Sequence, residues 1–300
     1  MRTFSFIVNP FAGARRVSPE EHPLVAEIRG HCPAAEVLVC DKPGQARQWA
    51  RERSMRADHV VVAVGGDGTV HEVGGGLIGG RASMGVIPTG SGNDFAKMLT
   101  SPRDPAAAVA FLAQAPARRC DAGEVYIEHA DGRAGTHYFL NGLGIGFDAA
   151  VAEAVNRARF LKGFPAYLAA AVRQLFRYRP PVMSVAFNEV SMTARQFLVA
   201  LGNGRWAGGR FKLTPEARID DGWLDLCRAD AMKLRRVLRI LPAVFAGRHG
   251  RFGEVSMART RRLVVDCKEG CMVHADGEVL ARRAVKIRAR VLPGALEVIG

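Results

Sequence analysis

The chain is short of acid. Its 300 residues carry 29 Asp and Glu against 42 Lys and Arg, a formal net charge of +13. Such an excess favours an anionic partner: nucleic acid, an acidic membrane surface or a phosphorylated ligand. A generally basic proteome would give the same number. Cysteine is sparse, with Cys32, Cys40, Cys120, Cys227, Cys267 and Cys271 forming no CxxC pair. Neither a disulfide framework nor a zinc site is indicated, and reduced thiols in the cytoplasm are expected. No apolar run reaches the roughly 18 residues of a membrane-spanning helix. The opening MRTFSFIVNP is too short and too strand-like for a signal peptide. GxxxxGK[ST] occurs nowhere, which excludes a Walker-type loop. Aromatic residues are only 7% of the chain, and the stacking patches usual in single-strand nucleic-acid binders are missing. What remains is an ordinary globular composition in a chain long enough for two domains.

In the first hundred residues apolar runs alternate with helical stretches. TFSFIVNP, AEVLVC (35–40), HVVVAVGG (59–66) and MGVIPTG (84–90) read as strands, and PGQARQWARERSMR (43–56) as a helix between two of them. Strands that are apolar throughout and alternate with helices predict a parallel sheet covered on both faces. After a helix at 104–115 the texture changes to many short strand-like segments, among them THYFLNGLGIG (136–146), ARQFLVALGN (194–203), LTPEARI (213–219) and CMVHADG (271–277). These predict a β-sandwich domain. The expected division is an α/β domain over 1–122 and a β-sandwich over 123–300, whose final strand can pack back on the first domain. Two basic, partly apolar helices are expected inside the second domain, at 160–179 and 232–252. In the latter Leu234, Val237, Leu238 and Leu241 form a stripe beside Arg235, Arg236 and Arg239. Such a helix either lies on an anionic bilayer or packs on the core with a solvated basic face.

Three glycine-bearing loops end three of the predicted parallel strands: NPFAG (9–13), GGDGT (65–69) and PTGSGND (88–94). Open α/β sheets place ligands at such strand ends. Glycine removes the Cβ, so successive N–H groups can face an anion, and a following helix adds its N-terminal dipole. A second glycine cluster, Gly74 to Gly76, follows the middle loop closely. The placing of Asp67 among the three glycines of the middle loop marks either a tight turn or a close approach of the backbone to something a side chain would block.

In this order, NPFAG, GGDGTVHEV and PTGSGNDFA resemble the nucleotide-binding motifs of the diacylglycerol kinase catalytic-domain family, which includes soluble bacterial lipid kinases and sphingosine kinases. DDGWLDL (220–226) and ADGE (275–278) resemble that family's later signatures. The resemblance implies an α/β domain of NAD kinase-like or Rossmann-like type followed by a β-sandwich. It also implies an ATP- and Mg²⁺-dependent kinase acting on a lipid hydroxyl such as that of diacylglycerol or a sphingoid base. On it, Asn9, Pro10, Phe11, Ala12 and Gly13 border the nucleotide phosphates, and Gly66, Asp67, Gly68, Thr69, Val70, His71 and Glu72 wrap ATP. Asp67 stands near the metal, and Cys40 and Thr89 approach the nucleotide. Asp121 matches an acidic position of a Mg²⁺–water network, and Glu278 matches a general base. Asp221, with the carbonyls of Arg218 and Trp223, matches a structural Mg²⁺ site. A cytoplasmic enzyme associated peripherally with the membrane follows, and a homodimer is an arrangement some members adopt.

Each motif also has a plainer reading. Asp276-Gly277 is a favourable hairpin dipeptide, with Glu278 leading the next strand. Asp220-Asp221-Gly222 reads as a turn, Asp121 as a cap and Asp94 as a helix cap. Val70-His71 after GGDGT, Cys40 in place of threonine and Ala14 after NPFAG depart from the family pattern. The rival functions are an NAD kinase-like small-molecule kinase, which shares GGDG, and a non-catalytic basic protein binding membrane or nucleic acid.

Overall fold

The computed structural model describes residues 2–10, 23–102, 104–157 and 164–300. The chain forms two compact units, one of residues 1–121 with 294–300 and one of residues 122–293.

In the first unit, β1 (Thr3–Val8), β2 (Glu36–Val39), β3 (His59–Gly65) and β4 (Ser83–Pro88) form a parallel sheet in the order β4–β3–β1–β2. Every residue of β3 is buried, as a parallel strand covered on both faces requires. The two faces follow from strand alternation. Val60, Val62 and Val64 join Phe6, Val8 and Ile87 in one core with Val25 and Ile28 of α1 (Pro23–His31) and Ala108 and Leu112 of α4 (Pro105–Gln114). Helix α4 starts where Asp104 accepts a hydrogen bond from Ala107 N at 2.8 Å, with Pro105 at the first helical position. Helices α2 (Gln45–Arg53) and α3 (Asp67–Leu77) pack on each other. The glycine cluster is their seam: a β-carbon on Gly76 would stand 2.5 Å from Arg47 O and 2.8 Å from Ala50 Cβ.

The second unit contains β5 (Ala117–His129, which begins in the first unit), β6 (Ala134–Phe139), β7 (Gly142–Gly146), β8 (Val182–Phe187), β9 (Val190–Gly202), β10 (Leu224–Asp230), β11 (Val255–Thr260), β12 (Arg262–Ala275) and β13 (Glu278–Ile299). The antiparallel strand β9 pairs β8 through its first half and β7 and β10 through its second. Strand β12 likewise pairs β8 near its start and β7 near its end. These two long strands carry the layers round one apolar core of Val, Ile and Leu from most of the strands. Strand β13 leaves the unit at Pro293. Its Glu297 and Val298 pair in parallel with Ser83 and Met84 of β4.

Three helices accompany these strands: α5 (Phe147–Arg157), α6 (Phe164–Leu175) and α7 (Leu234–Phe245). Helix α5 is absent from the sequence reading. Its signals are Asp148 in the first turn and a Glu153–Arg157 ion pair at i, i+4. Two expectations need correction. LTPEARI is not a strand, because Pro215 supplies no N–H and Thr214 Oγ1 turns aside to donate to Gly204 O at 2.8 Å. Helix α7 ends at Phe245, ahead of Gly247 at φ 68°, and its packed stripe is Val237, Ile240, Leu241 and Val244, leaving Leu238 48% exposed.

Candidate functional site

The three glycine loops all belong to the first unit. Asn9, one residue past β1, donates from N to Val64 O at 3.0 Å and from Nδ2 to Thr69 Oγ1 at 3.0 Å. Thr89 N, past β4, donates to Gly65 O at 2.9 Å. The ends of β1, β3 and β4 are thus tied at one edge of the sheet. There α3 begins, and in its first turn Thr69 N donates to Gly66 O at 3.0 Å. Gly66 is the N-cap of α3, and Val70 N donates back to Gly66 O at 3.1 Å. Gly68 lies in the first turn beside Asp67.

Asp67 holds the third loop. Its Oδ2 accepts from Asn93 N at 2.8 Å and its Oδ1 from Asp94 N at 2.6 Å. Asn93 continues the clasp: Oδ1 accepts from Gly90 N at 3.0 Å and Nδ2 donates to Gly90 O at 2.7 Å, with the backbone at φ 53°. Asp94 accepts from Lys97 Nζ at 2.9 Å. Asn93 is missing from the sequence-derived set. Its signal was an asparagine between glycine and a carboxylate, a residue that tolerates the left-handed region.

The remaining members of GGDGTVHE face α2. His71 is buried, and its Nε2 accepts from Arg47 Nη2 at 3.0 Å. Glu72 Oε1 accepts from Gly44 N at 3.0 Å. Cys40 follows β2 and is buried; burial, with the Glu72 and Asp41 carboxylates adding, pushes its thiol up to about 11. Such a thiol is a neutral weak donor at physiological pH. Pro10 is buried beside Asn9. Phe11, Ala12 and Gly13 lie outside the described residues. Asp121 is buried, with Oδ1 accepting from Gly294 N at 2.7 Å, where β13 returns to the first unit.

The other sequence-derived residues belong to the second unit. Glu278 is exposed at the start of β13. It follows a two-residue hairpin turn with Asp276 at φ 50° and Gly277 at φ 88°, the geometry that Asp-Gly favours. Asp276 is a structural carboxylate there, accepting from the N–H groups of Leu140, Asn141 and Gly142 at 2.8, 2.9 and 2.8 Å. Asp221 Oδ1 accepts from Trp223 N at 3.1 Å, and its Oδ2 is engaged by the Arg259 guanidinium. Arg218 Nε stands 3.5 Å from Asp220. A cation on Asp221 and the carbonyls of Arg218 and Trp223 competes with Arg259. Among the described residues no three His, Cys, Asp or Glu side chains converge as a metal cluster.

The second unit also holds an apolar cavity of about 100 Å³ between α5, α6, α7, β9 and β10. Val151, Leu168, Leu175, Phe197 and Ile240 are among its walls, and Asp148, Cys227 and His249 are its ionisable members. Leu168 and Leu175 of α6 line it. Phe176 stands 73% exposed, and the Tyr167 side chain lies outside the described residues.

The model of the diacylglycerol kinase catalytic domain matches residues 3–125, and that of the YegS C-terminal NAD kinase beta sandwich-like domain matches residues 142–300. The chain belongs to the diacylglycerol kinase family of lipid kinases. A Pseudomonas aeruginosa protein named "Probable lipid kinase YegS-like" is 35% identical over 267 residues, covering 87% of this chain and 83% of its own. A Mycobacterium tuberculosis diacylglycerol kinase is 29% identical over 295 residues, 98% of this chain and 93% of that one. Among solved structures, a Bacillus anthracis diacylglycerol kinase superposes with a TM-score of 0.69 at 19% identity, covering 99% of this chain and 96% of the other. Yeast NADH kinase superposes at 0.56 and 10% identity, covering 100% and 83%. The α/β domain followed by a β-sandwich domain, expected from the motifs, is the fold of this family.

Proposed function

We propose that the chain transfers the γ-phosphoryl group of ATP to the hydroxyl of a membrane lipid, diacylglycerol or a related lipid alcohol, at an anionic bilayer surface. The observation that carries the lipid reading is the apolar cavity of the second unit. A soluble dinucleotide acceptor gains nothing from walls of Leu, Val, Ile and Phe, whereas an acyl chain buries its methylenes there at roughly 0.8 kcal/mol each. Near that cavity α6 and α7 leave Val172, Phe176 and Leu238 exposed, with exposed Arg173, Arg177, Arg235 and Arg239 on the same helices or just beyond them. Apolar side chains flanked by arginines suit an anionic lipid surface.

The residues at the sheet edge of the first unit fit a polyphosphate. The start of α3 offers the positive end of the helix dipole, and glycine at 66 and 90 leaves no Cβ where the two loops approach. The donor set for Mg²⁺ is thin, with Asp67 the carboxylate at that helix start. This fits an ion that takes one or two carboxylates and otherwise phosphate oxygens and waters. When bound, Mg²⁺ neutralises charge on the transferred group. The residues divide the remaining work. Asn9 and Gly66 to Thr69 orient the phosphates, while Val70, His71, Glu72, Cys40 and Thr89 support that wall. Asp67, which keeps the 88–94 loop in place, would be the carboxylate that holds the ion, and Asp121 would be offered to its bound waters. The Glu278 carboxylate takes the proton from the lipid hydroxyl oxygen, a contribution of about 10²–10⁴-fold.

The test is [γ-³²P]ATP with vesicles carrying a panel of lipid alcohols, products separated by thin-layer chromatography. Wild type labels a lipid and Glu278→Gln does not. Label found only on a soluble dinucleotide, or equal lipid labelling by both proteins, refutes the reading.

A further inference from the structure

We propose that His274 is a positioning residue for Glu278: its Nδ1 holds the turn that presents Glu278, and the contact of Nε2 with Asp148, on the helix that walls the apolar cavity, fixes the tautomer in which Nδ1 accepts. The inference rests on the reading of Glu278 as the general base. Nδ1 of His274 accepts a hydrogen bond from Gly277 N at 3.1 Å, and Nε2 lies 3.4 Å from Asp148 Oδ2. A nitrogen that accepts from a backbone N–H carries no proton, so the ring proton sits on Nε2 and points at the buried Asp148 carboxylate. Asp148, in the first turn of α5, also accepts from Ala149 N at 3.0 Å and lines the cavity.

The local sequence makes room for this pair. A β-carbon on Gly144 would stand 2.0 Å from Asp148 Oδ2 and 2.2 Å from His274 Nε2. The same helix grips the turn again, where Asn156 Nδ2 donates to Gly277 O at 3.2 Å. With the three amides bound by Asp276 and its own N–H on Gly142 O at 2.9 Å, at least six hydrogen bonds hold Asp276 and Gly277. A two-residue hairpin tip ordinarily sits in solvent and needs no such grip. Helix α5 thereby bears both the cavity wall and two of the turn's anchors, so the acyl seat and the base share one support.

The imidazole's two nitrogens can be replaced separately. Asn places its amide oxygen where Nδ1 accepts, and Gln reaches the Nε2 position only. Initial rates are measured on diacylglycerol–phosphatidylglycerol vesicles with ATP varied. His274→Asn keeps kcat within about threefold, whereas His274→Gln lowers it about tenfold or more with KM for ATP unchanged, since small displacements of a reacting group cost this much. Thermal unfolding of the two variants should coincide. Wild-type kcat in His274→Gln, or an equal loss in both variants, overturns the proposal, the second outcome marking a packing role. Should His274→Gln not fold, Asn156→Ala, at an exposed position, replaces it: a severalfold fall in kcat supports the tie and an unchanged kcat sinks it. Glu278→Gln run alongside separates the failures. An inactive Glu278→Gln beside a fully active His274→Gln removes the positioning role alone. Wild-type turnover in Glu278→Gln, or none in the wild type, removes the base assignment and this proposal with it.

Discussion

Gly90 passes so close to Gly66 that a β-carbon on Gly90 would stand 2.5 Å from the Gly66 Cα. The obstacle is backbone, which cannot rotate away as a side chain can. Gly90→Ala must therefore push the 88–94 loop off the start of α3. We expect a loss of about 1–3 kcal/mol, the usual range for overpacking, and a fall in phosphoryl transfer of more than tenfold. Gly30→Ala, in α1 with nothing within 4 Å of the new methyl, should be neutral or slightly stabilising. Urea unfolding of both proteins decides it.

Asp67 predicts a split between stability and activity. Asp67→Ala strips both acceptors from the amides of Asn93 and Asp94 and should destabilise by about 1.5–3 kcal/mol, the range for hydrogen bonds to a charged group. Asp67→Asn keeps one acceptor oxygen and should recover much of that stability. Its lipid kinase activity should stay low if Asp67 holds the ion as proposed, because the carboxylate charge is gone. Equal activity in Asp67→Asn and wild type, measured over a Mg²⁺ titration, would leave Asp67 a purely structural clasp.

The Glu36–Arg53 pair sets an acid limit on the first unit. Arg53 donates from Nε to Glu36 Oε2 at 2.7 Å and is itself buried. The Arg53 hydrogen bond, opposed by burial and joined by one from Ser5, holds the Glu36 carboxyl down to about 2. A folded-state value below the unfolded one, near 4.5, means this stabilisation is complete above pH 4.5 and fades as pH falls towards 2. Glu36→Gln should melt below wild type at pH 7, with the gap closing across that window. A gap that stays constant in melts between pH 7 and pH 2.5 contradicts this account.

On α7 the arginines are not equivalent. Arg236 is engaged with Glu254, its Nη2 donating at 3.1 Å, whereas Arg235 and Arg239 are exposed. Replacing Arg235 and Arg239 by Ala should weaken sedimentation with anionic vesicles severalfold, most at low salt. Arg236→Ala should mainly lower stability. If all three behave alike, the helix makes no oriented approach to the bilayer.

Filling the cavity should separate acceptor from donor. Ala171→Phe, on the buried side of α6, is expected to raise the KM for lipid at least tenfold while leaving ATP binding, followed by calorimetry, unchanged. Unaltered lipid kinetics would place the acyl chain elsewhere.

Much of this was legible beforehand because it rests on local rules. The unbroken apolar run of β3 gave a doubly covered strand, and glycines at strand ends gave the loops that meet there. Asp276-Gly277 gave the hairpin. What stayed hidden depends on partners distant in sequence. That Asp67 clasps Asn93, that Gly76 meets Arg47, and that His274 joins Asp148 across more than a hundred residues are facts of packing, which no window of periodicity contains. Helix α5 was missed because Phe147 to Val151 continue an apolar run already assigned to strand, and only its charges mark the change of period.

The pairing of Val298 with Met84 has a bearing on biosynthesis. Strand β4 and its glycine loop emerge from the ribosome long before residues 294–300 do. Through that interval the nascent sheet carries an uncovered flank beside β4, open to mispairing with neighbouring chains. The first unit's sheet is therefore finished only once residues 294–300 have emerged, and a chaperone that shields the flank until then would act on the first unit's yield before it acts on catalysis.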